Sequence, residues 1–474
     1  MRLPLALLLA LSPAPPAEAL DAMDARAMDT QAMDALAAAH AAALDIPGLA
    51  YAVVGPAGVE HALRTGVDGA GEPVDAGTAF LWGSVAKPVT ATAAVVLARE
   101  GRLDLDAPVG DHLPAFAGRD ITVRDLMTHT SGIPERAAFA VTDRYGSDAP
   151  DLDARVEHLA GVPATAPGGH EYSSANHLLL GAVVEEVTGD LHGHLREAVL
   201  EPAGMDGAFT DAEEAGAAGL APGHRFLWGI PTAGAGEVDD EGVSYGYLGG
   251  TLDDLAAFAR LQLDPEPPLL DAATLAGMRE GAVPVPGSAQ RYGLSWRETV
   301  LSGTEEPVVF HGGATPGYAA MVVVLPERGR AVVLLQNAYA VLADGEVQGL
   351  AFDLARLLAG APVADPAAGR TAPAAAWGTT GAALALGAAA VRPGRGRRRI
   401  ALGAVGALSA VAAAVLLSFM GPRASLLWAP DLALAAAAAG LLGAVLAVRG
   451  LAPPVRDAIR RGRGSRRPRR GSGR

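Results

Sequence analysis

The chain has no cysteine in 474 residues, which excludes disulfides, thiolate metal sites and a thiol nucleophile. No H-E-x-x-H segment occurs, and the 11 histidines form no zinc-ligand pattern, so neither metal nor cofactor is expected. A phosphate-binding glycine loop is also missing. Lysine is nearly absent: Lys87 is the only one among 37 basic residues. A guanidinium does not deprotonate in a protein, whereas a desolvated lysine can lose its proton near neutral pH. A chain that uses arginine everywhere else therefore keeps one group able to act as a base.

That lysine lies three residues after a serine, in Gly83-Ser84-Val85-Ala86-Lys87-Pro88, ahead of the apolar run Val89–Ala98. A helix starting near Ser84 puts Ser84 and Lys87 on one face. Pro88 is tolerated because first-turn N–H groups have no intrahelical partner. A neutral amine there can take the serine proton, which an arginine cannot.

Formal charge is −15, unevenly spread. From Arg392 onward there are sixteen arginines against Asp431 and Asp457, a balance of +14, so the first 391 residues carry −29. Such an acidic body is not a nucleic-acid binder. Residues 1–19 read as a secretory signal, with a short basic start, an apolar centre and Ala17-Glu18-Ala19. Residues 20–360 form the expected globular domain and 361–373, rich in Pro and Ala, a linker. Three apolar spans follow, Ala374–Val391, Ile400–Met420 and Leu426–Val448, with a basic tail from 449 to 474. Three crossings that start outside leave both arginine-rich segments in the cytoplasm, as the positive-inside rule requires. The bilayer is thus a partner, and the tail faces anionic lipid heads. Asp431 reads as interfacial.

Within the domain, Gln31–Leu44 reads as a helix and Gly48–Gly69 as two strands about Gly55-Pro56-Ala57-Gly58. Thr122–Asp125 and Thr251–Asp254 are capping boxes, and His129 reads as a structural loop histidine. A Pro-Gly turn at 167–168 delivers Tyr172 on a loop, anchored by a helix over Leu178–Val187. Val308–Gly313, Tyr318–Leu325 and Ala331–Gln336 read as strands, and Gly345–Leu358 as a closing helix. Strands at both ends pair most simply in one antiparallel sheet covered by helices, with a mainly helical insert between, an α/β fold.

Three pieces then stand in order: Ser84-Val85-Ala86-Lys87 as S-x-x-K, Tyr172-Ser173-Ser174 in the place of Y-x-N, and His311-Gly312-Gly313 as H-x-G. With the linking phrases Ile121–Pro134, Leu178–Gly181, Glu185–Gly189 and His311–Tyr318, residues from about Asp45 to Leu358 resemble the serine β-lactamase and D-alanyl-D-alanine peptidase family, in its class C and esterase-like branch. The resemblance implies acyl transfer, with Ser84 as nucleophile and Lys87 and Tyr172 sharing the proton work. His311 then holds a substrate carboxylate or assists the tyrosine, and the backbone amides of Ser84 and Ala314 meet the oxyanion. Gly313 lets substrate backbone approach. Ser174 departs from the usual asparagine, and Asn176 is the nearby amide placed to compensate in substrate binding.

Gly242-Val243-Ser244-Tyr245-Gly246 also satisfies G-x-S-x-G, but the strand and helix that motif needs do not flank it. The expected protein is therefore a membrane-anchored extracytoplasmic serine hydrolase acting on a D-amino-acid peptide, a β-lactam or a small ester. The rival is a catalytically silent sensor of wall fragments on the same fold.

Overall fold

A computed structural model describes residues 17–264, 269–363, 371–391 and 396–451. The expected signal segment and linker fall largely outside these residues, as do residues 392–395 and the basic tail beyond 451.

Eight antiparallel strands form the main sheet: β1 (Gly48–Gly55), β2 (Gly58–Gly66), β3 (Val283–Pro284), β4 (Arg291–Tyr292), β5 (Arg297–Val300), β6 (Pro307–Thr315), β7 (Tyr318–Leu325) and β8 (Arg330–Gln336). Their spatial order is β2-β1-β8-β7-β6-β5-β4-β3. The first hairpin therefore pairs with the last strand, Leu49 opposite Gln336, as expected for termini that share one sheet. β1 and β7 are buried along their whole length, because both faces of the sheet are covered. Alternation sorts their side chains. Leu49, Tyr51 and Val53 point toward helices α1 (Ala17–Leu44) and α5 (Asp344–Leu358), while Ala50, Ala52 and Val54 point into the larger, helical layer. Truncating a fully buried leucine such as Leu334 to alanine in such a layer costs about 2–5 kcal/mol.

The helical layer carries α2 (Ala86–Arg99), α3 (Ser174–Thr188) and α4 (Leu252–Leu261). Both capping boxes form, at Thr122–Asp125 and Thr251–Asp254. One expectation is corrected: α3 begins at Ser174, not Leu178, so Ser174 and Asn176 are helical residues. Positions two apart on a helix do not share a face.

Three helices long and apolar enough to cross a membrane follow: α6 (Thr371–Val391), α7 (Arg397–Trp428) and α8 (Pro430–Leu451). α7 is broken at Gly421, whose backbone is non-helical (φ 79°, ψ 157°), just before Pro422. Leu426–Trp428, read from sequence as the start of the third span, instead end the short helical segment of α7 that follows the break. Proline suits only the first turn of a helix, and α8 starts at Pro430. This segment and the start of α8 pack on the globular domain. Trp228, in the hairpin Gly223–Ala235, donates its backbone N–H to Asp431 (2.8 Å), and Arg423 donates to the carbonyls of Thr142 and Asp143.

Candidate active site

Ser84 sits in a single 3₁₀ turn, Gly83–Val85, that feeds α2. Gly83 is left-handed (φ 53°), and a Cβ there would lie 2.2 Å from the Ala314 nitrogen on β6. From the other side, a Cβ on Gly313 would lie 2.0 Å from the Trp82 carbonyl and 2.6 Å from the Ser84 nitrogen. Two glycines thus let strand and nucleophile turn touch backbone to backbone, and the Ser84 and Ala314 amides share one cleft.

Lys87 is fully buried. Its Nζ lies 2.7 Å from Ser84 Oγ, 3.2 Å from Ser174 Oγ and 2.8 Å from the Tyr245 carbonyl oxygen. Among the described residues no carboxylate lies within ion-pair distance of it. Burial, then the nearby Arg297 guanidinium, hold its amine well below the ordinary 10.5, with Asp143 opposing. A neutral amine has two N–H groups and one lone pair. Two donors for Ser174 and Tyr245 leave the lone pair for the Ser84 hydroxyl.

Tyr172 shares the cleft with Ser84, and burial pushes its phenol up to about 12 against the opposing pull of Arg297 and the Ser84 hydroxyl. The tyrosine is clamped between rings and cations. His129 packs 4.3 Å from its ring centroid, and Lys87 Nζ and the Arg297 guanidinium carbon lie 5.2 and 5.1 Å from it. His129 is a loop histidine that secures this tyrosine: its Nδ1 accepts from the Ser173 backbone N–H (3.2 Å) and pairs with Asn176 Nδ2 (3.0 Å).

The structure brings Ser84, Lys87, Tyr172, Ser174, Gly313 and Ala314 together and separates Asn176 from them. The Asn176 carboxamide is fully buried and taken up by His129 and by Ser131 (2.6 Å). It cannot stand in for an asparagine at position 174, because its face of α3 is turned into the protein. His311 lines the cleft but is held neutral, its pKa lowered well below 6.5 by burial and then by Arg297 and Lys87. Its Nδ1 bonds the Gly312 carbonyl (2.8 Å), leaving Nε2 to accept from the Tyr292 hydroxyl (3.1 Å).

Sequence reasoning missed two participants. Tyr245 belongs to the G-x-S-x-G segment, which is no nucleophile elbow: Ser244 is buried away from solvent and the Tyr245 carbonyl supports Lys87. The Tyr245 phenol donates to Asp239 (2.6 Å), itself in a fully buried bidentate pair with Arg155 (2.7 and 2.8 Å). Arg297, on β5, is the second omission. It lines the cleft with Ser84 and donates to Gln290 (2.9 Å), a neutral partner. Among the described residues no carboxylate pairs with it. The cleft has a volume of about 730 Å³. No group of three or more metal-ligating side chains occurs among the described residues.

A family model described as Beta-lactamase matches residues 33–355. The chain belongs to the beta-lactamase family. Proteins of this family are serine hydrolases, and the S-x-x-K turn, the Tyr172 loop and the H-x-G strand all fall inside the matched region. Penicillin-binding protein 4 of Amycolatopsis lactamdurans is 32% identical over 322 residues, covering 62% of this chain and 81% of that protein. Esterase EstB of Burkholderia gladioli is 41% identical over 164 residues, which are 30% of this chain and only 42% of EstB. Among solved structures, a D-alanine carboxypeptidase AmpC from Burkholderia cenocepacia superposes with a TM-score of 0.58 at 21% identity, over 72% of this chain and 99% of that one. At that identity the likeness establishes the fold.

Proposed function

We propose that this beta-lactamase family member is a membrane-anchored serine hydrolase, its catalytic domain outside the cytoplasm, that forms and hydrolyses an acyl-enzyme on Ser84. One observation carries the reading: a buried amine without a carboxylate partner, 2.7 Å from the serine hydroxyl. The free amine of Lys87 takes the Ser84 proton as Oγ bonds to the substrate carbonyl carbon. The oxyanion that forms receives the backbone N–H groups of Ser84 and Ala314. Collapse expels an alcohol or amine, which takes a proton from Tyr172, and Lys87 returns its proton to the phenolate. Water then attacks the acyl-enzyme by the same route, so the two groups act as one coupled acid and base.

Arg297 is the cation for a carboxylate on the substrate, since His311 is neutral. Ser174 offers one hydroxyl in the place of a carboxamide. This favours a peptide ending in a carboxylate, or a small ester, over efficient β-lactam turnover. The name of one relative, an esterase, points the same way. The anchored, outward-facing arrangement rests on the three apolar helices and on the arginine-rich segments that flank them.

A fluorophosphonate or penicillin probe will label the full chain at Ser84 and leave Ser84→Ala unlabelled. Equal labelling of both would remove the assignment. One observation favours a second reading, a silent sensor: Phe419, Met420 and Trp428 of α7 line the cleft, so a bound ligand would touch one of the apolar helices directly. Binding of penicillin without turnover of any activated ester would select it.

A further inference from the structure

The polar end of the cleft, where Ser84, Tyr172, Arg297 and His311 lie, is contributed by the hydrolase domain. Its other wall includes Phe419, Met420 and Trp428, all from α7. Phe139 of the domain continues this wall, its ring 6.4 Å from that of Phe419. Phe419 and Met420 are the last residues of the long apolar stretch of α7, immediately before the break at Gly421. Phe419 lines the cleft and is 67% exposed. An aromatic side chain in this position is poorly placed to recognise a polar peptide and well placed to lie along a hydrocarbon chain.

A second, independent feature sets the level of this wall relative to a bilayer. The chain has 5 tryptophans, and Trp228, Trp377 and Trp428 gather where the helices meet the domain. The Trp228 and Trp377 rings are 6.3 Å apart. Each of the three satisfies its indole N–H at that junction, on Thr380 (2.8 Å), the Trp228 carbonyl (3.1 Å) and Asp143 (2.9 Å). Tryptophans collect where apolar and wet surroundings meet, so this belt marks the outer membrane-water boundary. The cleft opens beside it.

We infer that the substrate is an amphiphile resident in the outer face of the bilayer, whose acyl chain lies along Phe419 and Met420 while its ester or amide carbonyl reaches Ser84. This rests on the hydrolase reading above and adds the source of the substrate. Chemistry is unchanged: the acyl group passes to Ser84 Oγ, the head group leaves with a proton from Tyr172, and water releases a fatty acid. The end of α7 is then a specificity wall, tied to the domain through Arg423 and Trp428.

The test uses the full chain in phospholipid nanodiscs, with p-nitrophenyl decanoate and p-nitrophenyl acetate as substrates, and fluorophosphonate labelling of Ser84 to count folded sites. Partitioning raises the apparent rate on decanoate for any variant, so the readout is the decanoate-to-acetate ratio of kcat/KM in one variant against another. In Phe419→Ser/Met420→Ser the ratio falls by about fivefold or more, since contacts of a few methylenes are worth factors of ten to two hundred or so. Adding bulk instead, in Met420→Trp, moves the preferred chain length to a shorter ester. A ratio within about twofold of the parent in both variants, with Ser84 labelled and acetate still hydrolysed, overturns the amphiphile inference and leaves the hydrolase standing. Loss of labelling and of acetate turnover in the parent protein sinks the hydrolase reading itself.

Discussion

The cleft has two sides built by different means. Its floor is main chain and buried hydrogen bonds: Gly83 against Ala314, Lys87 held by two hydroxyls and a carbonyl, Asp239 and Arg155 fixed behind Tyr245. Its outer wall is the kinked end of an apolar helix, with exposed Phe419 beside the break. The floor determines whether a bond can be broken. The wall determines which molecules reach it, so floor substitutions should depress turnover of every substrate and wall substitutions should re-rank substrates.

The largest effect expected is at Lys87. Lys87→Arg keeps a cation but not a base, and should lower kcat/KM for any activated ester by roughly 10²–10⁴-fold, with kcat carrying the loss. Near-parental turnover in a variant whose thermal midpoint is also parental would break the division between floor and wall. Next in size is Asp239→Ala, which leaves Arg155 buried without its partner and should destabilise the chain by about 3–5 kcal/mol. Urea unfolding measures this, and a cost below about 1 kcal/mol would show that the support behind Tyr245 is dispensable.

Arg297→Gln probes a residue between the two regions. It should raise KM for a D-alanyl peptide ending in a carboxylate by about tenfold to a hundredfold, as expected for a lost charged hydrogen bond of ~1.5–3 kcal/mol, with a smaller loss on neutral esters. Steady-state kinetics on both substrates decides it, and equal losses would move Arg297 from recognition to the floor.

The finest effect is in pH. Activity should rise with pH as Lys87 deprotonates, on a limb whose midpoint lies below 10.5, while Tyr172 keeps its proton to about 12. Arg297 helps lower the Lys87 value, so Arg297→Gln should move that limb to higher pH. The same shift has a sign for stability. The folded state binds fewer protons than the unfolded state between the lowered folded value and 10.5, so stability grows as pH rises through that window and is lost as pH falls through the folded value. Urea midpoints at two pH values should show this slope in the parent and a weaker one in Lys87→Met.

Legibility in the sequence followed rarity and periodicity. Lys87 stood out because the chain has one lysine, whereas Arg297 is one arginine among many and carries no local signature. The strands of the sheet could be read because apolar residues fill both faces of β1 and β7. Tyr245 acts through its carbonyl, and a carbonyl has no residue identity, so no motif could have marked it. Asn176 was harder to place because the apolar run that marks α3 begins only at Leu178, whereas the helix begins at Ser174. That start turns the Asn176 amide inward, onto Ser131 and His129. The docked end of α7 after Gly421 escaped because hydropathy registers apolar composition and not what a tryptophan hydrogen-bonds to.

The close approach of Gly83 to Ala314, and of Gly313 to Trp82 and Ser84, limits how this scaffold can diverge. With no side chain between the serine turn and the strand, no change of rotamer or residue size can widen or narrow the gap that receives the carbonyl. New specificities on this frame must therefore arise from segments grafted around that gap, and a pair of long apolar helices is one such graft.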